Sequence, residues 1–112
     1  MWGRDVKTWD EIVDYYRSTR EWDCLADLID HIAKSKYAAV LHPRVGLGHT
    51  YCYRSRKYDF RDGVLWISIP FGQHTVRLWY GTEPNPDTGV HRDYAPADAV
   101  EGFERLASEY HW

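Results

Sequence analysis

The chain has 112 residues, 44% of them hydrophobic and 28% charged, with a formal net charge of −3. That length predicts one domain over residues 1–112 with a modest core, and the composition excludes a disordered chain. There is no long apolar run, so no membrane span is expected.

The opening MWGRDVKTWDE has no apolar core, so no secretory signal and a cytoplasmic location are expected. Cys24 and Cys52 lie far apart, and reduced thiols rather than a disulfide follow from that location. The net charge hides a segregation. Residues 1–33 carry four Lys/Arg against eight Asp/Glu, net −4. Residues 34–81 carry eight against two, net +6, and residues 82–112 carry two against seven, net −5. The basic middle can attract its own flanks or an acidic partner.

The segment TWDEIVDYYRST predicts a first helix. Thr8 and Glu11 form a capping box, and Trp9, Ile12, Val13 and Tyr16 share one face. DCLADLIDHIAKSK predicts a second helix with Asp23 as its cap, an apolar stripe of Leu25, Leu28, Ile29 and Ile32, and Lys34 and Lys36 at the negative end. Asp27 and His31, four apart, are expected to form an exposed pair on that helix.

The period then changes. YAAVLHP, stopped by Pro43, predicts a strand over 37–42, either beside 49–54 through a Gly46–Gly48 hairpin or at the edge after Tyr80. HTYCYR is rich in β-formers. Asp62-Gly63 predicts a hairpin pairing Phe60 with Leu65 and Tyr58 with Ile67, and Gly72-Gln73 a type II′ hairpin pairing Ile69 with Val76, Ile67 with Leu78 and Leu65 with Tyr80. Both registers turn Leu65, Ile67 and Ile69 inward, and a slip of one residue would invert a strand. GTEPNPDTGVHRDYAP is expected to be a polar loop. ADAVEGFERLASEYHW predicts a last helix with a stripe of Ala99, Phe103, Leu106, Ala107 and Tyr110, and with close packing at Gly102. The fold class is therefore α+β: two N-terminal helices, an antiparallel meander of three or four strands, and one C-terminal helix, with helices on one side of the sheet.

The opposite face is expected to display Lys57, Asp59, Arg61, Trp66, Ser68, Arg77 and Trp79, with the basic run Arg54 to Lys57, Arg56 included, beside it. Two indoles among cations suit stacking or anchoring an acidic partner. The competing readings are plain cross-strand packing, or cover by a helix or by a second copy of the chain. His42, His49, Cys52 and His74 are candidates for chemistry. They lack the short paired spacing of a zinc site, and His49 and Cys52 fall on opposite faces of a strand, so no metal and no cofactor is expected.

The order helix–helix–antiparallel meander–helix resembles that of the small metal-independent ribonuclease toxins of bacterial toxin–antitoxin systems, a likeness of element order. It implies RNA cleavage as the activity; from the residues themselves, the competing expectation is a metal-independent ribonuclease with His49 or His74 as acid or base and Arg54 and Arg77 holding phosphate. Those toxins are basic overall, and this chain is not. The leading expectation is thus a non-catalytic interaction module of the immunity or antitoxin kind. Trp66, Trp79, Arg77, Arg61, Lys57 and Arg56 would bind an acidic protein, with RNA or a second copy as other partners.

Overall fold

Helix α1 (Trp9–Arg17) begins where the capping box places it. The Thr8 hydroxyl accepts the Glu11 N–H at 3.2 Å and donates to the Glu11 carboxylate at 2.9 Å. The computed structural model describes residues 8–18, 22–46, 49–69, 74–83 and 87–112. Helix α2 (Asp23–Ala33) has Trp22, not Asp23, at its N-cap and no side-chain cap there. Asp23 is instead the first helical residue, where its charge still faces the positive end of the macrodipole. Asp27 does not pair with His31: it binds Arg17 of α1 at 3.0 Å, while His31 lies 3.5 Å from Glu104. Inter-helix partners outcompete a neighbour on the same helix.

Five strands follow in a simple antiparallel meander: β1 (His42–Gly46), β2 (His49–Tyr53), β3 (Val64–Ser68), β4 (Val76–Gly81) and β5 (Val90–Tyr94), with α3 (Ala99–Glu109) last. The α+β class and element order are as the sequence indicates, with five strands in place of three or four. No helix of the described residues is long and apolar enough to cross a membrane.

Three expectations fail for local reasons. Of the strand expected over 37–42, only His42 is in one. Ser35 accepts the Tyr37 N–H at 3.1 Å and starts a 3₁₀ turn, Lys36–Ala39, which Tyr37 anchors edge-on to Phe103 at 5.4 Å. The strand starts later and runs through Pro43. As an edge strand, β1 tolerates a residue without an N–H, and its neighbour is β2.

The Asp62-Gly63 hairpin does not form. Asp59 accepts the Arg61 N–H at 2.9 Å and its guanidinium at 2.9 and 3.1 Å, which winds Phe60–Asp62 into a 3₁₀ turn. β3 pairs instead with β2, Cys52 opposite Leu65 and Thr50 opposite Ile67. Gly63 leads the chain into β3 at φ +105°, a region closed to most side chains, and a Cβ there would collide with the Tyr80 hydroxyl.

The third failure is the predicted loop after Gly81, which contains β5. Its charged residues suit an edge strand, with Val90, Arg92 and Tyr94 toward the helices and His91 and Asp93 away. The Gly72-Gln73 turn lies outside the described residues, but the register it implies is present, with Ile67 opposite Leu78 and Leu65 opposite Tyr80.

All the helices lie on one side of the sheet. Ile12, Tyr16, Leu25, Leu28, Ile29, Ile32, Phe103 and Leu106 pack there on Cys52, Leu65, Ile67, Val76 and Leu78. Within this core the Tyr16 hydroxyl and Thr50 Oγ1 share a hydrogen bond of 2.7 Å. Gly102 is packed as its sequence position implies: a Cβ would sit 2.5 Å from the Tyr94 ring.

Tyr110 caps α3 rather than continuing its stripe. The helix then closes through His111 at φ +55°, with the Trp112 N–H donating to the Ala107 carbonyl at 3.1 Å and the His111 N–H to Ser108 at 3.3 Å. This motif favours glycine at the left-handed position. His111→Gly should therefore stabilise the fold by about 0.5–1 kcal/mol, seen as a higher urea midpoint.

Candidate functional site

The strand registers fix the outer face of the sheet residue by residue. One row crosses all five strands: Arg44, Tyr51, Trp66, Trp79 and His91. The adjacent row contains His49, Ser68, Arg77 and Asp93. No described helix covers these rows. Both indoles therefore point away from Ile67 and Leu78, as the alternation requires.

The two indoles are not equivalent. Their rings meet edge-on at 6.1 Å. Trp79 is only 5% exposed. Phe60, carried by its 3₁₀ turn, lies 6.2 Å away, and the backbone at Gly81 and Gly89 passes close to the indole. A Cβ at Gly81 would stand 2.6 Å from the ring, and one at Gly89 would overlap it. Trp79 is thus the centre of a small second core covered by the chain's own loops, not by a helix. Tyr58 and Phe60 were expected on the inner face. They belong to this outer cluster instead, at 5.4 and 6.0 Å from Tyr53.

Trp66 is half-buried and touches His49 edge-on at 5.2 Å and Tyr51 at 5.2 Å. Its Nε1 and the His49 Nδ1 have no hydrogen-bond partner among the described residues. Burial lowers the pKa of His49, which keeps the imidazole neutral near pH 7.

The predicted cations divide into two groups. Arg77 grips Asp93 through two hydrogen bonds of 2.7 and 2.9 Å, and Arg61 grips Asp59 through its own pair. Each carboxyl is held below its usual range by the hydrogen bonds from its arginine. Arg61, Lys57 and Asp59 lie in the 54–63 loop, not on a strand of the outer face. Arg56 and Lys57 are exposed there. Arg56 acts on the outer face at His42, whose pKa is lowered by burial first and by Arg56 second. Arg44 lies 4.0 Å over the Tyr58 ring, a cation–π contact.

Of the residues named for RNA cleavage, His49 and Arg77 stand in one row of the outer face, two strands apart, and Arg54 does not join them. Arg54 follows β2 on the helix side, with its guanidinium 5.9 Å from the Trp112 ring. It lies five residues, about 16 Å of strand, from His49 and on the other face. His74 is exposed two residues before β4. Among the described residues no group of three His, Cys, Asp or Glu is placed to hold a metal ion. Both cysteines are free, Cys52 within the main core.

The sequence reading missed Arg44, Tyr51 and Tyr53. The alternation in HTYCY carries their signal: with Thr50 and Cys52 inward, His49, Tyr51 and Tyr53 must face out. Pairing β3 with 58–60 instead of β2 concealed it. No family model, curated protein or solved structure matches this chain.

Proposed function

We propose that this chain is a small non-catalytic interaction module that binds an acidic protein through the outer face of its sheet. The observation that supports this most is the half-exposed cluster of Trp66, Tyr51 and His49 on a face without a covering helix. Aromatic anchors seated on a rigid base are the usual centres of binding energy at protein interfaces. Trp79 supplies the base rather than the contact. The exposed Arg56 and Lys57 give the rim its positive field, while Arg77 and Arg61 act as ion pairs that a partner's carboxylates would have to share. The net +6 of residues 34–81 agrees with an acidic partner, and the overall −3 disfavours nucleic acid.

The test starts with a photo-crosslinking residue at position 51 in living cells, followed by purification of the captured protein. Trp66→Ala should weaken its binding by at least about tenfold, as truncation of an aromatic anchor does, and added salt should weaken it further. Equal binding by Trp66→Ala would reject the reading. So would cleavage of labelled RNA in chelator that is lost in His49→Ala or His74→Ala.

A further inference from the structure

The two edges of the sheet differ. On β1, Pro43 lacks an N–H, and a strand proline must turn that side to the open edge, which removes a donor there. β5 has no proline, and among the described residues nothing pairs with its far side. Alternate residues of β5 therefore present N–H and C=O groups to an incoming strand. Val90 (37% exposed), His91 and Asp93 lie at this edge in the open.

We infer that β5 pairs antiparallel with β5 of a second copy, giving a two-fold dimer with one continuous ten-stranded sheet. The sequence Val90-His91-Arg92-Asp93-Tyr94 is self-complementary when the axis passes through Arg92. His91 of each copy then faces Asp93 of the other on the outer face, and Val90 faces Tyr94 on the inner face. An imidazole facing a carboxylate that can accept its N–H, and an aliphatic–aromatic pair directly across a ladder, are both favourable, and Asp93 can accept this donor while it holds Arg77 at 2.7 and 2.9 Å. Neighbouring two-fold registers do worse. An axis at Asp93 sets two carboxylates face to face, and an axis at His91 leaves Asp93 opposite Gly89.

Only Arg92 meets its own kind in the favoured register, and its charge is already engaged. Its guanidinium binds Glu109 at 2.7 Å, and it also hydrogen-bonds Tyr94. Charged edge strands usually repel one another. Here each carboxylate meets an imidazole across the axis rather than another carboxylate. A two-fold perpendicular to the sheet keeps both helical layers on the same side. Both aromatic faces therefore stay open, and the dimer is independent of the partner site proposed above.

Sedimentation of the full chain over a concentration series should show a monomer–dimer equilibrium. His91→Asp creates two like-charge pairs by symmetry and should weaken the dimer by about tenfold or more. Asp93→His sets imidazole against imidazole with no carboxylate to accept, and should weaken it too. An equimolar mixture of the two variants restores both carboxylate–imidazole pairs and should recover dimer to within about threefold of the wild type. Circular dichroism of each variant checks that the monomer is folded. In a Cys24→Ser background, Arg92→Cys should oxidise to a linked dimer, because residues directly opposite lie within disulfide reach. Ser108→Cys, exposed on α3, should not. A chain that stays monomeric throughout would overturn the inference. So would a His91→Asp dimer as tight as the wild type, or an Arg92→Cys chain that does not link.

Discussion

Trp79→Ala is expected to destabilise the fold by about 3–5 kcal/mol, while Trp66→Ala costs about 1–2 kcal/mol and removes partner binding. The two residues are direct neighbours across one ladder and share a face, so strand pattern alone gives them the same role. Their surroundings separate them. Trp79 is enclosed by Phe60, by Trp66 and by the backbone at Gly81 and Gly89, so truncation leaves a cavity that rigid walls cannot close. Trp66 has water on one side, and truncation there forfeits the His49 and Tyr51 contacts but opens no enclosed void. Urea unfolding followed by far-ultraviolet circular dichroism gives the two stability changes, and the crosslinking assay gives binding. Equal large losses would make the outer cluster a second core and nothing more. A small loss for Trp79→Ala would mean that Phe60, Gly81 and Gly89 do not enclose it.

Alkaline pH should unfold this chain early. Burial pushes the Cys52 thiol and the Tyr16 hydroxyl well above their usual ranges, so both stay protonated in the folded state. In the unfolded chain they ionise near 8.5 and 10. Above those values the unfolded state binds fewer protons than the folded one, so stability falls as pH rises; below pH 8.5 it is fully present. The slope should be about 1.4 kcal/mol per pH unit from Cys52 alone between pH 8.5 and 10, and about 2.7 kcal/mol per unit once Tyr16 joins. Half-buried Cys24 and Tyr51 shift in the same direction, both through burial. A Cys24→Ser, Tyr51→Phe chain therefore isolates the pair, with urea midpoints measured from pH 7 to 11. Cys52→Ala should flatten the first limb, and Tyr16→Phe should remove the steeper second one. A midpoint that does not fall above pH 9 would show that water reaches the thiol in the folded chain.

Not every local signal carried equal information. Thr8 and Glu11 placed the start of α1 because both partners of a capping box lie within one turn. Asp62-Gly63 misled because the same dipeptide serves a hairpin or a 3₁₀ exit, and Asp59, three residues earlier, decided between them through Arg61. β5 was hidden by its charges, which are what an edge strand carries. For the site, the sequence indicated that Trp66 and Trp79 share the outer side. It did not indicate that Tyr51 lies beside Trp66, since a partner from another strand leaves no mark in local spacing.

The apolar faces of α1 and α2, the inward side of Leu65, Ile67 and Leu78, and therefore the outward side of both indoles, are legible in the chain alone. These depend on periods of 3.6 and 2, which any short window contains. Which strand lies beside β3, which tryptophan is buried, and which arginines already hold a carboxylate are settled by the fold as a whole. Each of those depends on two segments far apart in the chain meeting in space. Long-range closure is governed by the total burial and hydrogen bonding of the fold, a sum that no local pattern encodes.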